Sequence, residues 1–154
     1  VILEKGDMWS VFDSTDAFVI TTNPIITRDG RVVMGRGIAK QMLDRFPGID
    51  KDFAEELALQ SGDIGYTPGV GGIGEYGYNK TPVLWFMVKN HWRSPADTFL
   101  IKRSVHMLAA GAMYEQHRRF DLNFPGIGNG KLDRAEVLPL IEMLPDNVHV
   151  WEYE

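Results

Sequence analysis

A chain of 154 residues is long enough for one domain with a real core and too short for two comfortable ones. Its hydrophobic fraction of 44% and charged fraction of 24% are those of an ordinary globular protein, and no apolar run approaches the ~18 residues of a membrane span. The net charge of −5 argues against a broad grip on nucleic acid, which needs several cations facing the phosphates, but not against a small diphosphate held by backbone N–H groups.

Taken in chain order, strand-like segments alternate with helix-like ones. Val1 to Lys5 and Ala17 to Thr22 read as strands, short and rich in branched apolar residues. The first segment is too short and too charged to be the apolar region of a signal peptide. A helix follows over Gly37 to Phe46, where Ile38, Met42 and Phe46 share one face, and a second places Ile49, Phe53 and Leu57 the same way. Val83 to Lys89 reads as a fully buried strand. A long helix is expected from about Ala96 to His117, with Ile101, Val105, Leu108 and Ala112 inward. Phe120 to Phe124 is the next strand. A last helix follows Asp133, with Val137, Ile141 and Leu144 inward and Pro139 shortening or bending it. Val148 to Tyr153 closes the chain as a strand. This alternation predicts one α/β domain, residues 1–154, layered around a largely parallel sheet.

Glycine is concentrated in three clusters. Met34-Gly35-Arg36-Gly37-Ile38-Ala39 opens the first helix, where glycine admits a ligand close to the backbone and free N–H groups suit an anion. Alone, it favours a tight turn. Pro125-Gly126-Ile127-Gly128-Asn129-Gly130 follows an apolar strand directly, at the carboxyl end where open α/β sheets place ligands. It lacks the Lys-Ser/Thr of a P-loop and the glycine offsets of a dinucleotide fold. Two such loops aimed at one sheet edge are better explained by a diphosphate between them than by chance turns. The third cluster, Gly65 to Gly77, has no helix after it and reads as a mobile loop or loose hairpin, a flexible connector rather than a substrate flap.

His91-Trp92-Arg93 invites two readings: an aromatic and a cation that stack on a base and touch a phosphate, or a core tryptophan beside a paired arginine. The four histidines show no metal-ligand spacing, so no metal is expected. Without cysteine there is neither a disulfide nor a thiolate nucleophile, which fits a reducing cytoplasm.

In their order along the chain, Gly6-Asp7-Met8, Asn23, Met34-Gly35-Arg36-Gly37-Ile38-Ala39, Val88-Lys89-Asn90-His91-Trp92-Arg93 and Gly126-Ile127-Gly128-Asn129-Gly130-Lys131-Leu132-Asp133 resemble the macrodomains, an ADP-ribose-binding family. More narrowly, the pattern resembles the branch of the terminal ADP-ribose protein glycohydrolase and the DNA ADP-ribosyl glycohydrolase antitoxins. The resemblance implies a three-layer α/β/α sandwich with a mixed, largely parallel sheet. It implies an ADP-ribosyl glycohydrolase, a hydrolase of glycosyl bonds that acts on ADP-ribosylated DNA or protein without a cofactor. Asp7 would accept from the adenine amino group beside Met8, with Trp151 or Tyr153 covering the ring. Asn23 would contact the distal ribose. Met34, Gly35, Gly37 and Ile38 would wrap that ribose and one phosphate, and Gly126, Ile127, Gly128, Asn129, Gly130 and Leu132 would cradle the diphosphate. Lys89 and Asp133 would form the catalytic pair. A cytoplasmic monomer with no membrane contact is expected, with a local single-stranded DNA contact open.

The sequence departs from that pattern in two places. Ile20 stands where an earlier asparagine is usual, and residues 24–33 form an insertion before the first glycine loop. Both lie near the distal ribose, where the attached macromolecule enters.

Ribose C1'' is an electrophilic acetal carbon that a lysine amine attacks only when uncharged, so a pKa normally near about 10.4 must fall. The apolar run Val83 to Val88 would desolvate Lys89, whereas a nearby Asp133 would hold the proton on. Lys89 as a solvent-reaching strand end and Asp133 as a helix N-cap remain open beside these roles. So do a non-catalytic ADP-ribose reader and a hydrolase of ADP-ribose 1''-phosphate or O-acetyl-ADP-ribose.

Overall fold

The computed structural model describes residues 1–61 and 69–153. Six strands form one sheet: β1 (Ile2–Lys5), β2 (Ala17–Thr22), β3 (Val70–Tyr76), β4 (Thr81–Met87), β5 (Phe120–Asn123) and β6 (Val148–Glu152). Their order across the sheet is β1-β6-β5-β2-β4-β3, parallel throughout except that β3 runs antiparallel to β4. Four helices cover it: α1 (Gly37–Arg45), α2 (Ile49–Ser61), α3 (Thr98–Tyr114) and α4 (Arg134–Ile141).

The period-2 alternation of the strands divides the core into two layers. Phe18 and Ile20 of β2, with Val83, Trp85 and Met87 of β4, pack towards Met42 of α1 and Phe53 and Leu57 of α2. Ala17 and Val19 of β2, with Phe86 of β4, pack on the other side against Ile101, Val105 and Leu108 of α3 and Val137 and Ile141 of α4. This is the expected α/β/α sandwich with a mixed, largely parallel sheet. Burial on both faces explains why β2 and β4 read as nearly continuous apolar runs. Pro139 lies inside α4, a helix of only eight residues, and Leu144 is buried just beyond its end.

The third glycine cluster needs correction. Val70–Tyr76 is not a connector but the edge strand β3, paired with β4 from Val70↔Phe86 to Tyr76↔Thr81. Gly71 has a packing reason, because a Cβ there would lie 2.2 Å from the buried Trp85 ring. The rest of the cluster, Gly65 to Pro68, lies outside the described residues.

The insertion at residues 24–33 is a folded hairpin. Ile26 bridges Val32, and Thr27 N–H donates to the Arg31 carbonyl at 2.8 Å. It is pinned to the start of α2, where Val32 N–H donates to the Asp50 carbonyl at 3.1 Å and the Arg31 guanidinium meets the buried Asp50 carboxylate at 3.3 Å.

Candidate functional site

The parallel strands all end on one edge, and two joined cavities open there. The first, about 270 Å³, lies over the ends of β2, β4 and β5; Asn23, Met34, Arg36, Lys89, Trp92 and Asn123 contribute to its wall. The second, about 310 Å³, continues towards β6 and is walled by Gly6, Met8, Asn129, Trp151 and Tyr153. Gly37, Ile38, Phe124 and Ile127 line both, so the two lobes form one elongated cleft between the two glycine loops.

The loops suit an anion for a shared reason. Helix α1 begins after Arg36 and a short 3-10 turn, Gly128–Gly130, begins after Ile127; neither start carries a side-chain cap. Their leading N–H groups therefore lack the partner that a capping side chain would supply. Gly37 has φ +60, and a Cβ there would stand 3.5 Å from Asn129 Nδ2 of the opposite loop. Gly126 has φ +81, and a Cβ would come within 2.7 Å of Ile101. Both positions favour glycine for their left-handed backbone, and Gly126 also for the seating of the loop on α3.

Lys89 follows β4 by two residues and projects into the first lobe, half-buried. Its pKa is lowered, first by desolvation and then by the positive charges of Arg36 and Lys131. Desolvation thus prevails over the carboxylate effect weighed from the sequence. Arg36 and Lys131 are exposed. Among the described residues neither is held in a salt bridge, whereas Arg31, Arg118, Arg119 and Arg134 each are.

Asn23 is buried at the foot of the hairpin, its Nδ2 donating to the Val33 carbonyl at 3.0 Å and its Oδ1 accepting from Ile25 N–H at 2.9 Å. It walls the first lobe and also fixes the segment that leads into Met34. At the far end, Trp151 is oriented by Asp121, a fully buried carboxylate that accepts from the indole N–H at 2.8 Å, from Thr15 at 2.6 Å and from Arg119 at 3.0 Å.

Of the residues expected from the sequence, Met8, Asn23, Met34, Gly35, Gly37, Ile38, Lys89, Gly126, Ile127, Gly128, Asn129 and Gly130 all line the cleft. Asp7 stands between the lining residues Gly6 and Met8, and its carboxylate accepts from Trp9 N–H at 3.0 Å. Leu132 sits behind the loop, its N–H bonded to the Gly126 carbonyl at 2.9 Å. Asp133 does not share the wall of the first lobe with Lys89. It is exposed at the N-cap position of α4, makes no capping bond, lines neither lobe and is absent from the charges that shift Lys89.

Sequence reasoning missed Asn123 and undervalued Arg36. Asn123 lies in the floor shared by both lobes, and a polar residue between Leu122 and Phe124 at a strand's carboxyl end was its one visible signal.

A mixed six-stranded sheet between helix layers, with a cleft built from two glycine loops at its carboxyl edge, is the macrodomain fold. Within that class the chain resembles the DarG branch. It is similar to the macrodomain of Thermus aquaticus DarG, with 27% identity and a TM-score of 0.72 over 99% of this chain and 97% of that one. The macrodomain of Mycobacterium tuberculosis DarG is similar at 27% identity and a TM-score of 0.69, again over 99% and 97%. Thermosipho africanus DarTG in complex with ADP-ribose matches at 19% identity and a TM-score of 0.71; this chain is covered to 99% and spans 42% of that longer one. No family profile and no curated protein matches the chain.

Proposed function

We propose that the cleft binds ADP-ribose and that the protein releases it from a macromolecule, a DNA nucleobase or a protein carboxylate, by hydrolysis at ribose C1''. The observation that carries the reading is Lys89, a half-buried amine with a lowered pKa in the wall of a cleft flanked by two uncapped glycine turns. Similarity to DarG macrodomains, and to a DarTG solved with ADP-ribose, supports the choice of ligand.

In this reading the diphosphate lies between the N–H groups of Gly37 to Ile38 and of Ile127 to Asn129, with Arg36 and Lys131 adding positive potential. Adenine lies in the second lobe near Met8 and Trp151, and the distal ribose points to Asn23 and Lys89. The uncharged Lys89 amine attacks C1'', and the acceptor leaves with the bonding pair and a proton. The glycosylamine so formed opens to an imine as its N–H proton passes to the ring oxygen; water then adds to the same carbon, the lysine–carbon bond breaks, and ADP-ribose and free amine result. No oxidant or reductant is required.

A second reading, an ADP-ribose reader without turnover, is favoured by one observation: Asp133 stands outside the cleft, and among the described residues no carboxylate lines the lobe wall with Lys89. Incubating the protein and its Lys89→Ala variant with ADP-ribosylated oligonucleotide and with glutamate-linked ADP-ribosyl protein separates the two. Release of ADP-ribose by the wild type and its loss in the variant supports the enzyme. Tight ADP-ribose binding by calorimetry with no release from either substrate supports the reader.

A further inference from the structure

Trp92 differs in setting from every other tryptophan of the chain. Trp9 and Trp85 are buried in the core and Trp151 packs against it, whereas Trp92 belongs to neither core cluster and walls the first lobe near Lys89. Leaving so large an apolar ring half-exposed forgoes burial that the fold would otherwise gain, so its position calls for another reason.

The loop that carries it is rigidly placed. Val88 N–H donates to Thr22 and Asp97 N–H to the Val88 carbonyl, which closes the loop at its base. Ala96 N–H donates to the Gly130 carbonyl at 2.9 Å, tying it to the second glycine loop. Its tip is a turn in which Ser94 N–H bonds the His91 carbonyl and Arg93 N–H bonds His91 Nδ1 at 3.1 Å. His91 stacks on Trp92 with ring centroids 5.5 Å apart, and the Arg93 guanidinium lies 4.5 Å from the Trp92 ring. Both partners are exposed, and Arg93 has no salt bridge among the described residues. A guanidinium over an exposed ring is the weaker occupant there: a stacked base gains more, and the displaced cation is then free for a phosphate.

We propose that His91, Trp92 and Arg93 form an acceptor subsite beside Lys89, in which Trp92 stacks on the nucleobase that bears the ADP-ribose and Arg93 takes the adjacent phosphate of the single strand. The assignment rests on the glycohydrolase reading and adds the residues that select the acceptor. A carboxylate acceptor on a protein offers Trp92 no flat ring and Arg93 no neighbouring phosphate. The overall charge of −5 confines the contact to this small patch.

The test is equilibrium binding in the Lys89→Ala background, where substrate is not consumed, with Trp92 intact, Trp92→Ala, Trp92→Phe or Arg93→Ala. The ligands are an ADP-ribosylated single-stranded oligonucleotide, a glutamate-linked ADP-ribosyl peptide and free ADP-ribose. Expected is tighter binding of the oligonucleotide than of ADP-ribose, a loss of about 10-fold on Trp92→Ala for the oligonucleotide that clearly exceeds its loss for the peptide and for ADP-ribose, and near-complete rescue by Trp92→Phe. Arg93→Ala should flatten the salt dependence of oligonucleotide binding by about one phosphate contact. An oligonucleotide bound no better than ADP-ribose, or a Trp92→Ala loss equal for all three ligands, overturns the subsite. A preference for the peptide that Trp92→Ala abolishes also overturns it and assigns the patch to protein. Turnover by the protein with Lys89 restored is measured in parallel, so failure of the glycohydrolase reading shows as absent release and leaves the binding comparison intact.

Discussion

Asn123 on β5 holds Thr21 on β2 at two points: its Oδ1 accepts from the Thr21 backbone N–H at 3.1 Å, and its Nδ2 donates to the Thr21 hydroxyl at 2.8 Å. Backbone pairing between these strands runs only to Val19↔Leu122, so the side chain extends the ladder by one rung under the cleft. Asn123→Ala should cost roughly 1–2 kcal/mol, since the Thr21 N–H loses its partner at a site only partly open to water. A fall in denaturant midpoint, with weaker ADP-ribose binding by calorimetry, is the expected pair of results. Unchanged ligand affinity would separate Asn123 from the site.

Lys89 must lose its proton to attack, and its pKa is lowered by desolvation, Arg36 and Lys131. Release of ADP-ribose should therefore rise with pH and level off below the range of a free lysine. Removing a neighbouring cation makes the protonated form easier to hold, so Arg36→Ala or Lys131→Ala should move the rising limb to higher pH and slow release near neutrality. Because Lys131 does not line the cleft, its variant is the cleaner one. A profile of kcat/KM against pH that does not move, or moves down, contradicts this account of the amine.

Asp133 provides a contrast. It is exposed and outside both lobes, and at the N-cap position of α4 its side chain makes no capping bond. Asp133→Ala should lower release by less than about 10-fold, below the ~100-fold typical of a working general acid or base. Loss comparable to that of Lys89→Ala would mean that substrate draws Asp133 into the cleft.

Edge strand β3 yields a stability prediction. Gly71→Ala drives a methyl group into Trp85, which is itself stacked on Phe53 with centroids 5.1 Å apart. A cost of about 1–3 kcal/mol is expected from overpacking. Gly72→Ala, where a Cβ meets nothing within 4 Å, is the control and should be nearly neutral. Denaturant midpoints of the two variants decide it.

These cases also show what a sequence carries. Strands β2 and β4 were legible because burial on both faces leaves continuous apolar runs, and both glycine loops because they sit between a strand and a helix. β3 was not legible: Val70-Gly71-Gly72-Ile73-Gly74 has no alternation, and Gly71 answers to the Trp85 ring on the neighbouring strand. The partnership of Asn123 with Thr21 spans 102 residues and leaves no local trace. For Asp133, spacing was compatible with a cap and with catalysis; the side chain makes no capping bond and lines neither lobe. Lys89 lay between these extremes. Its apolar approach could be read directly, and desolvation is the first cause of its lowered pKa; the charges of Arg36 and Lys131, which arrive from two other loops and add to it, could not.

The central claim is that Lys89 attacks the ribose. It is tested most directly by reacting the protein with ADP-ribosylated oligonucleotide or peptide under borohydride and locating the reduced adduct by mass spectrometry. The account predicts an ADP-ribosyl adduct on Lys89, absent from Lys89→Ala, together with a fall in release on the order of 100-fold or more in that variant. Release by Lys89→Ala at the wild-type rate, with no adduct on Lys89 of the wild type, would contradict it.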